Sequence, residues 1–94
     1  MTHIKANVVR YGTKAGQAEE NVRKVEALFA QLAEERPEGV SYQAYQLPDG
    51  RFLHISQGNT ELLQSLSAFK EFAQAGLMDG APEITPSKVI GVYP

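Results

Sequence analysis

The order of hydrophobic periods along this chain predicts an α+β domain of ferredoxin-like βαββαβ topology. Apolar residues alternate from Ile4 to Tyr11 and again on both sides of Pro48-Asp49-Gly50. Two stripes at helical spacing, from Ala18 to about Leu32 and from Leu66 to Leu77, stand between the alternating stretches. A last alternating run, Lys88 to Tyr93, closes the order. Strand, helix, strand, tight turn, strand, helix, strand within 94 residues is the split βαβ arrangement.

The first strand reads from His3 to Tyr11, with Ile4, Ala6 and Val8 on one face and Val9 and Tyr11 on the other. Lys14-Ala15-Gly16 breaks it. Gly16 then reads as the N-cap of the first helix, where Glu19 and Glu20 favour the positive end of the helix dipole. Val22, Val25, Phe29 and Leu32 form its apolar stripe, with Leu28 on the flank. Pro37 stops the helix near Arg36, and Gly39 turns the chain into the second strand, Val40 to Leu47.

Proline at the second position of Leu47-Pro48-Asp49-Gly50 and glycine at the fourth suit a type I turn with a glycine bulge. That turn sets Ala44 opposite His54 and Tyr45 opposite Leu53. A two-residue Asp-Gly turn would bring Tyr45 against His54 instead, because a one-residue slip exchanges the faces. Pro48 favours the first register. The third strand, Arg51 to Gln57, puts Phe52, His54 and Ser56 on one face and Leu53 and Ile55 on the other.

Gly58 to Gln64 reads as a polar loop, after which Ser65 or Ser67 caps the second helix. The stripe of that helix is Leu66, Phe69, Phe72 or Ala73, and Leu77. Gly80-Ala81-Pro82 and Pro86 are assigned to the connection, and the last strand to Lys88–Tyr93.

Composition narrows the classes of function. A chain of this length is read as one domain, residues 1–94, burying only about 60–65% of its unfolded surface and gaining from a partner. A net charge of −2, with both signs spread along the chain, argues against nucleic acid and anionic membranes. Cysteine is absent, which excludes disulfides, thiol catalysis and cysteine metal sites. The opening residues are too polar for a signal peptide and no apolar run reaches membrane length, so the expected location is the cytoplasm. Both faces of the sheet carry apolar groups: Val8 and Val9, Leu53 and His54, Ile90 with Val89 and Tyr93. Two helices cover one face, and the other should be polar if it met water. The expected solution is a homodimer through the sheet faces.

The whole chain resembles the antibiotic biosynthesis monooxygenase-like group of dimeric α+β barrels. The resemblance rests on Val8-Val-Arg-Tyr11, Lys14-Ala-Gly16 leading into an acidic helix, and Arg36-Pro-Glu-Gly39 before the second strand. Asp49-Gly-Arg-Phe-Leu-His-Ile55 and Leu66-Ser-Ala-Phe-Lys-Glu-Phe72 complete it. None of these strings is a catalytic signature. The resemblance implies a sheet-to-sheet dimer with a pocket for a small hydrophobic or aromatic ligand between sheet and helices. It implies oxidation of a quinol or aromatic substrate with no bound cofactor, or a non-catalytic binding or sensing dimer on the same cavity. A haem-degrading branch of this fold carries an asparagine on the first strand, a tryptophan on the sheet and a histidine on the second helix. Asn7 matches the first, but the chain has no tryptophan and Leu66–Leu77 has no histidine.

Among individual residues, His54 is the leading candidate, since histidine exchanges protons near neutral pH and here stands mid-strand among Phe52, Leu53 and Ile55. The competing reading is a hydrogen-bonded histidine in a core or dimer seam. Tyr42 is expected to orient a substrate, with Tyr11, Tyr45 and Tyr93 as further possible donors. Phe52, Phe69 and Phe72 are expected to wall the pocket, Asn7 to touch the ligand, and Arg10 to bind an anionic group or pair with a glutamate. His3 reads as a solvated surface group. The two histidines stand far apart and suggest no metal site. RNA-recognition domains share the element order but need stacking rings on the exposed face, and Gly50-Arg51-Phe-Leu-His-Ile-Ser56 offers one.

Overall fold

The alternating and helical stretches fold, in a computed structural model that describes residues 5–93, into β1 (Lys5–Tyr11), α1 (Ala18–Glu35), β2 (Val40–Gln46), β3 (Phe52–Gly58), α2 (Thr60–Ser65), α3 (Ser67–Gln74) and β4 (Glu83–Lys88). His3 and Ile4, where the first strand was expected to begin, lie outside the described residues. The sheet is antiparallel in the order β2-β3-β1-β4, the α+β ferredoxin-like arrangement.

The β2–β3 register is the one Pro48 favours. Ala44 faces His54 and Tyr45 faces Leu53. The turn closes with the Gly50 N–H donating to the Leu47 carbonyl at 2.8 Å, and Gly50 takes the positive φ of 88° that a bulge requires. At the far end of the hairpin β3 runs close against β2. A Cβ on Gly58 would stand 2.0 Å from the Gly39 carbonyl oxygen, so only glycine fits there.

Helix α1 starts one residue later than expected: Gln17 is its N-cap, and Gly16 supplies the left-handed residue before it. It ends as Pro37 demands, at a left-handed Arg36 whose N–H donates to the Leu32 carbonyl. Its rotation differs from the expected stripe. Asn21, Val25 and Leu28 are the buried residues, so Leu28 is core and Phe29 sits on the margin.

Four expectations fail in the second half. The supposed polar loop is a helix, α2, because Asn59 caps it through its side-chain oxygen and Glu61 occupies its first turn. The second helical stripe is therefore split at Leu66, an extended residue between α2 and α3. Neither Ser65 nor Ser67 caps α3; the Ala68 N–H donates instead to Gln31 Oε1 of α1 at 2.9 Å, tying the two helices together. The last strand lies at Glu83–Lys88, not Lys88–Tyr93. Pro86 belongs to it, as an edge strand permits. Among the described residues the β1–β4 ladder runs to Lys5 opposite Lys88, and Val89–Tyr93 lies outside the described strands with Ile90 and Tyr93 exposed.

The helices cover one face. Two apolar clusters lie beneath them, Tyr11, Val25, Phe52 and Phe72 at one end and Leu28, Leu63 and Leu66 at the other. The opposite face carries Val8, Leu53, Ile55 and Tyr45, with no cover from the described residues. Among the described residues no helix is long and apolar enough to cross a membrane.

Candidate functional site

Between the two clusters, sheet and helices leave a cavity of about 320 Å³. The sheet supplies Asn7, Val9 and Tyr11 from β1, Tyr42 from β2, His54 and Ser56 from β3 and Ile84 from β4. Phe69, Phe72 and Ala73 come from α3, and Thr60, Leu63 and Gln64 from α2. Among the described residues the lining contains no Asp, Glu, Lys or Arg. Its volume and its apolar walls with a few convergent polar groups are those of a small-molecule site.

Strand pleating brings the polar groups together. His54, central in β3, faces Val9 on β1 and Ala44 on β2, which sets its ring beside Tyr11 and Tyr42 on the helix-facing side. Its Nε2 lies 2.8 Å from the Tyr11 hydroxyl and its Nδ1 2.5 Å from the Tyr42 hydroxyl. Phe72 stacks on the imidazole, with centroids 5.4 Å apart and planes 19° from parallel. Behind Tyr11, the Asn21 amide nitrogen donates to the tyrosine oxygen at 2.9 Å. The result is one chain of polar groups, Asn21–Tyr11–His54–Tyr42, threaded through an apolar interior.

Burial sets the protonation of this chain. It lowers the His54 pKa to about 4, so the imidazole is neutral at pH 7. It raises Tyr11 to about 12, against a smaller opposing effect of the Asn21 hydrogen bond. Tyr42 is pushed up further, by burial first and by the neighbouring Tyr11 second. Both tyrosines therefore keep their hydroxyl protons at pH 7. Because both imidazole nitrogens are occupied by tyrosines, His54 reaches a ligand only through Tyr42.

The other expected site residues divide. Asn7, Phe69 and Phe72 line the cavity beside His54 and Tyr42. Phe52 does not; it stacks on Tyr11 at 5.4 Å and lines an open groove between α1 and β2. Arg10 is exposed on the opposite face of the sheet, across from Glu83, and the ion pair among the described residues is Arg23–Glu20 instead. Asn21 escaped the sequence reading. Its signal is a polar residue one turn ahead of Val25, on what proves to be the buried side of α1.

These features define a ferredoxin-like protomer with a helix-roofed apolar cavity and a buried Tyr-His-Tyr chain at its wall. The fold is that of the antibiotic biosynthesis monooxygenase-like proteins. A Pseudomonas aeruginosa protein, PA3566, superposes with a TM-score of 0.77 at 21% identity, over 97% of this chain and 98% of that one. Two proteins named "putative antibiotic biosynthesis monooxygenase" are also similar. The one from Caulobacter crescentus has a TM-score of 0.77 and 18% identity, covering 95% of this chain and 92% of its own. The one from Nitrosomonas europaea has a TM-score of 0.79 and 12% identity, covering 93% and 99%. No protein-family model and no curated protein matches the sequence.

Proposed function

We propose that this protein is a cofactor-independent monooxygenase for a small aromatic or quinol-like molecule, acting as a single-domain cytoplasmic homodimer joined through its sheet faces. The observation that carries the reading is the neutral His54, held between Tyr11 and Tyr42 on the wall of a small apolar cavity. The shared fold supports it, and the uncovered Val8, Leu53, Ile55 and Tyr45 support the dimer.

In this chemistry the substrate anion reduces oxygen directly. A ring methylene becomes a carbonyl: one oxygen atom enters the carbon, and the other leaves as water with the two hydrogens the carbon gives up. No external reductant is needed. The protein's share is to hold the anion and exclude water. Tyr42, fixed by His54, donates to the ring oxygen on which charge develops. Asn7 binds a second polar group, while Phe69 and Phe72 wall the ring. A substrate acidic enough to enter as its phenolate or enolate needs no base in the cavity, in keeping with a lining free of ionised side chains.

A second reading, a binding or sensing dimer without turnover, is favoured by the same completeness of the His54 hydrogen bonds. Oxygen uptake with a panel of anthrone-type and quinol substrates separates the two. Uptake that is lost in Tyr42→Phe supports the enzyme. Saturable binding with no uptake across the panel overturns it in favour of the sensor.

A further inference from the structure

We infer that Asn21, acting through Tyr11, fixes the direction of every hydrogen bond around His54, so that Tyr42 presents a proton to the cavity and the site selects a ligand by an acceptor oxygen. The ligand class is a phenolate, an enolate or a carbonyl. This deepens the site reading above and rests on the cavity being the binding site.

The direction follows from counting protons. The Asn21 amide nitrogen is a donor, and it lies 2.9 Å from the Tyr11 oxygen, which therefore accepts. Tyr11 is only 2% exposed, so its own proton needs a buried acceptor. The group in reach is His54 Nε2 at 2.8 Å. A neutral imidazole that accepts at Nε2 carries its hydrogen on Nδ1, and that hydrogen points at the Tyr42 oxygen. The Tyr42 oxygen has then accepted, and its proton has no partner among the described side chains. It is left for whatever occupies the cavity.

Asn21 pays for this arrangement with an unpartnered Oδ1, although the residue is only 1% exposed. Turning the amide over would strand its NH2 group where the carbonyl oxygen now stands and would reverse the whole chain. Tyr11 would donate to Asn21, Nε2 would carry the hydrogen, and Tyr42 would donate to Nδ1, leaving only an acceptor for the ligand. Asn21 touches no ligand in either case. It is a positioning residue, and it decides whether the site favours an oxyanion or a hydroxyl.

Long-range proton–nitrogen NMR on histidine-labelled protein at pH 7 reads the tautomer directly, with the His54 signal assigned by its absence in His54→Gln. The expected form carries hydrogen on Nδ1; hydrogen on Nε2 overturns the inference without any further variant. Asn21→Asp replaces the donor with an acceptor and is expected to move the hydrogen to Nε2; an unchanged tautomer in the folded variant removes Asn21 from its role. The ligand arm uses p-nitrophenol, whose phenolate is coloured. The wild-type protein is expected to bind the phenolate about tenfold more tightly than the phenol, lowering the dye's ionisation midpoint by about one unit. Asn21→Asp and Tyr42→Phe are expected to abolish that shift. Equal binding of both forms, or none, overturns the ligand assignment. Neither readout uses oxygen uptake, so a protein that passes both yet turns nothing over keeps this inference and loses only the oxidative reading.

Discussion

Both faces of the sheet carry apolar groups, yet they are built differently. Toward the helices, Tyr11, Tyr42 and His54 interrupt the hydrocarbon with directional groups whose hydrogen bonds are almost fully matched. On the other side Val8, Leu53, Ile55 and Tyr45 present undirected apolar surface among Gln43, Gln57 and Thr85, with Arg10 and Glu83 toward one end. Directed polar groups orient a small molecule, whereas undirected apolar area favours association and is indifferent to chemistry. The molecule assigns recognition to one face and assembly to the other.

Changes on the assembly face test that division most severely. Ile55→Glu buries an unpaired charge in the proposed seam and should cost about 3–5 kcal/mol of dimerisation, enough to give a monomer at micromolar concentration by sedimentation. Its circular dichroism should stay native, because Ile55 lies outside the helix-side core. A variant that remains dimeric would move the interface elsewhere.

Acid should act on the other face. His54 titrates near 4 when folded and near 6.5 when unfolded, so the unfolded chain binds the extra proton between those values. Its share of stability is complete above about pH 6.5 and falls by roughly 3 kcal/mol as the pH drops to about 4. Urea unfolding of wild type and His54→Gln across this range isolates the effect; equal slopes would mean that burial does not hold the ring neutral.

His54→Ala removes the shared partner of two buried hydroxyls, and a loss of about 1–3 kcal/mol in thermal or urea unfolding is expected. Tyr42→Phe should change stability least, by about 1 kcal/mol, because it strands one donor, the His54 Nδ1–H beside the cavity, where His54→Ala strands two hydroxyls. Its loss should appear in ligand binding instead. A stability loss as large as that of His54→Ala would make Tyr42 part of the scaffold.

The legibility of the chain follows the same physics. The β2–β3 register could be read because Pro48 and Gly50 restrict the backbone, and register then carries His54 and Tyr42 to one face. Asn21 was hidden because polar residues on a helix are usually solvated; its burial depends on a one-position rotation of α1 that favours Leu28 over Phe29. The last strand was misplaced because Val89–Tyr93 alternates well and Glu83–Lys88 does not. Pairing with β1 decided it against local pattern. Helix α2 is too short to show a period, and only the Asn59 cap with Glu61 marked it.

The two ends of the sheet also differ. At one edge β4 carries Glu83, Pro86 and Lys88, all of which discourage a further strand from docking. At the other, β2 reads Val-Ser-Tyr-Gln-Ala-Tyr-Gln, without a charge, proline or glycine. A strand of that composition with an open ladder is a template for fibre growth. Aggregation on storage or mild heating should therefore start at β2, with Gln43→Lys delaying the rise of thioflavin fluorescence and a charge added at β4 leaving it unchanged. The shelf life of the protein is then governed by a strand whose edge neither the cavity nor the proposed dimer seam covers.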